Sequence, residues 1–396
     1  MISQFLENDS KTYYIATYKI FLNYFFTIFI IFSIANILSQ TKVNITLIII
    51  VQLSLVASLF FPIVKYDQAI FLSFFNNIFK IILTIFIIIL NFGQFFNSHN
   101  INTSKIGHDI LSLILIALIS FPYIFFHRTS LVIYTSEDFG SINPLIKNFS
   151  ISLFSNNHLI IDSLFLILLV ILYFIRKILV NDRNLLVISL SLILLFIERK
   201  MTIISNNSFI FYILPDSPCS IGAFLILIYA LTKSKLTYSF IIFINLPLVL
   251  FNVLFLYTGT SNNLFSYYSF DTIMYHIYLA STGFLLFTLI QQTSFQDLKN
   301  SLFLFLVFQL IFLLLGVMQE IIEKITNLDF MAESFYGFGY MSLPLIGSIF
   351  KTNIIYFNYV INVIVIFMAI TIITTLFYFI KKKYDKNMQI NITPYF

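Results

Sequence analysis

One cysteine, Cys219, and no tryptophan occur in 396 residues. A lone thiol excludes an internal disulfide framework and any zinc cluster built from cysteines alone, and it leaves the redox compartment open. Charge is scarce as well: Asp, Glu, Lys and Arg make up 10% of the chain against 59% hydrophobic residues, and mean hydropathy is +0.96. Soluble domains carry about a quarter of their residues charged, so this deficit excludes them and leaves a polytopic membrane protein. It also leaves no basic surface outside the membrane large enough to hold a nucleic acid, and the net charge of +5 reads as topology information. The missing tryptophan accompanies 50 phenylalanines and many Ile and Asn, the usage of an A/T-rich genome. Phenylalanine abundance therefore carries no functional message.

Residues 1 to 16 contain Glu7, Asp9 and Lys11 and lack both the basic start and the small-residue cleavage site of a signal peptide, so the mature chain is expected to begin at Met1. Apolar runs long enough for about 30 Å of hydrocarbon follow at roughly 19–39, 44–64, 70–93 and 106–126. Lys80, inside the third run, reads as a snorkelling or cavity-facing side chain. The connection from His127 to His158, broken by Glu137, Asp138, Gly140 and Pro144, divides the chain into a four-span region (1–150) of unassigned role and a second region (151–396). Its Asn148-Phe149-Ser150 triplet matches a glycosylation acceptor at the frequency an Asn-rich chain produces by chance.

Seven more spans are expected near 159–175, 184–204, 218–232, 237–257, 270–290, 301–322 and 355–380. The expected fold is all-α: a transmembrane helical bundle of about eleven spans, four N-terminal and seven in the core. Arg176, Lys177 and Arg183, then Lys233 and Lys235, then Lys299, then the Lys381-Lys382-Lys383 cluster fall on one side. By the excess of positive charge that side is cytoplasmic, which places the C-terminus inside a multi-pass protein of the cell membrane.

Four features carry candidate chemistry. Leu214-Pro215-Asp216-Ser217-Pro218-Cys219 has the grammar of a helix start: Asp216 or Ser217 caps, Pro218 takes the first helical position, and Cys219 falls at about the second. There the free backbone N–H groups and the helix dipole favour a thiolate; the other reading is a small buried hydrophobe. His276, following Asp271, is the one histidine within an expected span, and its helix enters from the side on which Cys219 starts. A thiol and an imidazole at similar depth are the minimum for a nucleophile and its base, and a lone histidine is also an ordinary packing residue. Glu198-Arg199-Lys200 either sit inside a span as a functional charge group or mark its end at Ile197. The stretch from Thr326 to Phe350, with Gly337, Gly339 and Gly347, reads as a re-entrant lid or as an ordinary external loop.

On these residues the second region, about 160–380, resembles the YwaF/TMEM164-like family of seven-span membrane proteins. The matching text is Leu214 to Cys219 at a span start, then Asp271 to His276, then Thr326-Asn327-Leu328-Asp329-Phe330-Met331. The resemblance implies a lipid acyltransferase in which Cys219 is the nucleophile and His276 the base. Arg199 or Lys200 is expected to neutralise the substrate's phosphate, Glu198 and Asp271 are further expected substrate-binding residues, and backbone N–H groups after Pro218 are candidates for an oxyanion site. Membrane lipids are the expected partners. The chemistry calls for no metal and no soluble cofactor. A transporter and a non-catalytic membrane scaffold remain as readings from other classes.

Overall fold

The structure is a computed structural model. It describes residues 28–39, 45–58, 155–207, 218–255, 267–289, 291–326 and 355–392, with short pieces between 81 and 117. The described residues form helices and no strands. In chain order these are α1 (Ile28–Ser39), α2 (Ile45–Ser58), α3 (Asn156–Leu179), α4 (Asp182–Asn207), α5 (Pro218–Thr232), α6 (Lys235–Phe240), α7 (Leu246–Phe255), α8 (Tyr267–Phe287), α9 (Phe295–Thr326) and α10 (Ile355–Ile392). Four stretches are long and apolar enough to cross a bilayer: Asn156–Lys177, Lys235–Leu254, Phe295–Met318 and Val363–Met388. The described residues are thus all-helical, and these four candidate spans suggest a multi-pass membrane protein. The expected spans at 70–93 and 106–126 and the glycine-rich stretch 326–350 lie outside the described residues, short pieces of the first two excepted.

Polar residues set the starts of the long helices. Ser155 caps α3, its hydroxyl accepting from the His158 N–H at 3.3 Å, and Asn181 caps α4, its side-chain oxygen accepting from the Asn184 N–H at 2.8 Å. Ser294 and Asp297 form a reciprocal capping box at α9. The Ser294 N–H donates to the Asp297 carboxylate at 2.6 Å, and the Asp297 N–H donates to the Ser294 hydroxyl at 3.3 Å. Between α5 and α6 the chain turns in two residues. Lys233 takes a left-handed conformation (φ 55°), its N–H donating to the Tyr229 carbonyl at 2.8 Å as helix α5 closes.

The chain forms two compact units. The first comprises residues 1–161, 178–206 and 257–275. Within it Gln52 on α2 donates to the Ile88 carbonyl at 3.2 Å, and the Arg183 guanidinium on α4 lies 5.4 Å over the Phe32 ring on α1. The second comprises residues 162–177, 207–256 and 276–396. It is organised around the continuous segment Lys235–Phe255, from α6 to α7, whose middle residues Tyr238 to Leu246 are almost wholly buried among α5, α9 and α10.

Pro247 explains the unusual course of that central segment. A proline inside a helix has no N–H for the carbonyl four residues back and crowds it with its ring. Here the backbone opens into a π turn over Ile241–Asn245, and the Leu246 N–H donates to the Ile241 carbonyl five residues back. The last span also differs from expectation. The Lys381 cluster was expected to follow its end at Ile380, yet α10 continues to Ile392. Lys381 and Asp385 are four residues apart and pair with each other inside the bundle, so neither charge forces the helix out into water.

Candidate functional site

Two helices close onto the central segment at consecutive residues. On α5, Gly222 lies so near the Asn245 side chain that a Cβ at 222 would overlap the amide. On α8, a Cβ at Gly283 would sit 3.2 Å from Leu246 Cβ and Cδ1. Small residues at crossings let helix backbones approach closely where lipid supplies no hydrophobic drive between helices. Asn245 is fully buried and belongs to the π turn, so the close approach of α5 falls at the proline-induced distortion.

This crossing fixes the register of the candidate thiol and imidazole. Helix α5 begins at Pro218, as its sequence requires, and Cys219 is its second residue, half-buried and outside any disulfide. Cys219 precedes Gly222 by three residues, about 4.5 Å of helix rise. His276, buried on α8, precedes Gly283 by seven residues, about 10.5 Å of rise and nearly the same helix face. Both helices run antiparallel to the central segment. Tyr229 of α5 and Tyr238 of α6 stack at 5.4 Å, and the Tyr238 hydroxyl reaches the Leu289 carbonyl past the end of α8 at 3.4 Å. Cys219 and His276 therefore lie on the same side of the crossing, at levels about 7.5 Å, or one and a half helical turns, apart.

The other candidates sit elsewhere. Glu198, Arg199 and Lys200 lie within α4, which runs on to Asn207, so the helix does not end at Ile197. Asp271 lies in the first turns of α8. Only the backbones of these four residues are described. They belong to the first unit, and Cys219 and His276 to the second. Asp216 and Ser217 lie outside the described residues. Among those described, no group of three or more His, Cys, Asp or Glu side chains could hold a metal ion.

At the opposite end of the second unit is a polar cluster that sequence reading alone did not assemble. Lys381 on α10 is fully buried; its ammonium donates to the Leu289 carbonyl and to the Asp385 carboxylate, the latter at 2.6 Å. The Tyr384 hydroxyl donates to the Thr288 carbonyl at 3.3 Å, and the Tyr229 hydroxyl donates to the Gln291 side-chain oxygen at 3.3 Å. Lys381, Tyr384 and Tyr238 thus serve carbonyls that the end of α8 leaves without intrahelical donors. A cation at a helix C-terminus also meets the negative end of its dipole. The signal available in sequence was the four-residue spacing of Lys381 and Asp385. Nothing in the sequence placed the end of α8 beside it.

No family model, no curated protein and no solved structure matches the chain.

Proposed function

We propose that this membrane protein, with about eleven spans, transfers acyl groups between membrane lipids at Cys219, as its resemblance to the YwaF/TMEM164-like family implies. The Cys219 thiolate attacks an ester carbonyl, and the C–O bond breaks. The departing lipid alkoxide takes a proton from His276, leaving an acyl thioester on the sulfur. A hydroxyl of a second lipid then attacks the thioester, giving its proton to His276 as the C–S bond breaks and the thiolate is restored. Backbone N–H groups in the first turn of α5 face the carbonyl oxygen as its charge develops.

The observation that supports this reading is the shared register: a thiol at the second residue of α5 and a buried imidazole on α8, on one side of one helix crossing. The test is full-length protein in nanodiscs containing a phospholipid with a radiolabelled acyl chain. Label should accumulate on the protein, be released by neutral hydroxylamine, and be absent from Cys219→Ser. Transfer without a hydroxylamine-sensitive intermediate, or undiminished in Cys219→Ser, overturns the reading.

A second reading rests on the π turn. A broken helix carrying a buried amide in the middle of a central span is how transporters build substrate sites at mid-membrane. In that case Asn245→Ala would abolish a transport phenotype that Cys219→Ala leaves intact.

A further inference from the structure

The end of the second unit that holds Lys381 has a second property, independent of the thiol. Lipid-facing apolar side chains run to this end and stop. Phe174 on α3 is 74% exposed, Phe303 on α9 69% and Ile380 on α10 56%. Exposed lysines follow within a turn: Lys177 on α3, Lys299 on α9, and Lys382 and Lys383 on α10. Where an apolar surface gives way to cations over so short a rise, the boundary lies at headgroup depth.

Aromatic rings mark the same depth. The Arg176 guanidinium lies 3.9 Å over Tyr173, the Lys299 ammonium 5.2 Å over Phe295, the Lys233 ammonium 5.7 Å over Tyr229 and the Lys382 ammonium 5.9 Å over Tyr378. Each long side chain lies along a ring of its own or an adjoining helix turn, with its charged head carried at the rim. Arg176 also bonds the Tyr384 hydroxyl, which ties the end of α3 to α10.

Charge at this end is not balanced from within. With Lys235, Lys381 and Lys386 added, it carries nine cations. The carboxylates described there are two, and both are engaged: Asp297 by Lys235 at 2.9 Å and Asp385 by Lys381 at 2.6 Å. The excess exceeds the +5 of the entire chain, so the remainder of the protein is net acidic.

We propose that this basic rim binds the headgroups of phospholipids carrying net negative charge, and that the protein gathers a shell of such lipids around its second unit. Phosphodiester oxygens accept from the exposed lysines, and the acyl chains lie along the apolar rows of α3, α9 and α10. That continuity of cation and lipid-facing side chain selects a lipid over a free phosphate ion. Lysines clustered at a membrane surface attract anionic lipid additively, an attraction that salt screens.

The test uses full-length protein in nanodiscs of phosphatidylcholine with about a third phosphatidylglycerol, the fraction at which both lipids are abundant enough to compete. A spin-labelled lipid of each kind reports its share of the protein-bound layer. Phosphatidylglycerol should be enriched several-fold over phosphatidylcholine at low salt, and the preference should shrink at 0.5 M salt. A variant with Lys177, Lys299, Lys382, Lys383 and Lys386 changed to Gln, which keeps the paired Lys235 and Lys381, should lose it. Equal partition of the two lipids overturns the proposal, as does a preference that survives in the variant. Should the variant fail to fold, Lys382→Gln/Lys383→Gln, two exposed sites, must still lower the preference at least twofold. Displacement of phosphatidylglycerol by millimolar inorganic phosphate at constant ionic strength would assign the rim to free phosphate and overturn the lipid reading.

Discussion

Replacing Lys381 by Met should destabilise the protein more than any other single change at the lysine-bearing end of the second unit. The side chain is fully buried, and its ammonium serves both the Asp385 carboxylate and the Leu289 carbonyl. Methionine fills much of the same volume and removes the charge. What remains is a buried carboxylate beside the negative end of the α8 dipole, with its cation gone. Breaking one side of a buried ion pair costs about 3–5 kcal/mol, because the surviving charge keeps its desolvation penalty and loses its partner. The reciprocal change should cost less. In Asp385→Leu, Lys381 still donates to the Leu289 carbonyl and still sits at a helix C-terminus, which favours a cation. Removing both charges, Lys381→Met with Asp385→Leu, should restore most of the loss, since a buried pair replaced by apolar groups is often neutral or stabilising.

The measurement is a double-mutant cycle on unfolding free energy in detergent micelles, with all four proteins unfolded reversibly under one condition. The expected order of stability is wild type and double variant together, then Asp385→Leu, then Lys381→Met lowest. A Lys381→Met cost under about 1 kcal/mol would refute the reasoning, because such a value belongs to a solvent-screened pair. Asp385→Leu falling below Lys381→Met would refute the assignment of the carbonyl and dipole as the second partner of the lysine.

Two further outcomes follow from the structure and one from the charge pattern of the sequence. Gly222→Ala should cost about 1–3 kcal/mol, since the new methyl overlaps the Asn245 amide, and adding Asn245→Ala should recover part of that cost in the same unfolding assay. Lys233→Ile should cost about 1–2 kcal/mol, because a β-branched residue is strained at φ 55°, whereas Lys233→Gly should be tolerated. Reporter domains fused after Phe396 and near Asn207 should report cytoplasmic and external locations respectively, and an externally active fusion at Phe396 would reverse the orientation.

Sequence resolved the long apolar helices because in a membrane the length of an apolar run is itself the structural constraint. The expected 218–232 matches α5, and 237–257 lies within two residues of the observed 235–255. The start of α5 was legible because Pro218 is tolerated only in the first turn of a helix. Charges left helix ends open in two places where helices continue through them. Glu198-Arg199-Lys200 admitted both an in-span charge group and a span end at Ile197, and Lys381-Lys382-Lys383 looked like a boundary because an isolated charge is costly in lipid. Asp385 shows why the second group is not one: its partner is on the same helix face, and the carbonyls that complete the arrangement come from α8, almost a hundred residues earlier. The π turn was equally hidden. Pro247 announces a disturbed helix, but whether the chain kinks, ends or widens depends on what packs against it, here Gly222 and the helices that cover Ile241 to Leu246.

That dependence gives the distortion a role beyond accommodating a proline. A π turn holds one more residue than the α turn it replaces, so it rotates everything after Asn245 by about 100° relative to an uninterrupted helix. Without it, the face that meets Gly222 would present a different residue, and the tight approach of α5 would have no matching amide. Because Gly222 is one turn from Cys219, the depth of the thiol is set by a contact that Pro247 creates. The same holds on α8, where Gly283 meets Leu246, the residue whose N–H closes the π turn. The levels of Cys219 and His276 are therefore not independent properties of two helices. Both are referred to two consecutive residues of a third, and a change that straightens the central segment should shift the thiol and the imidazole together.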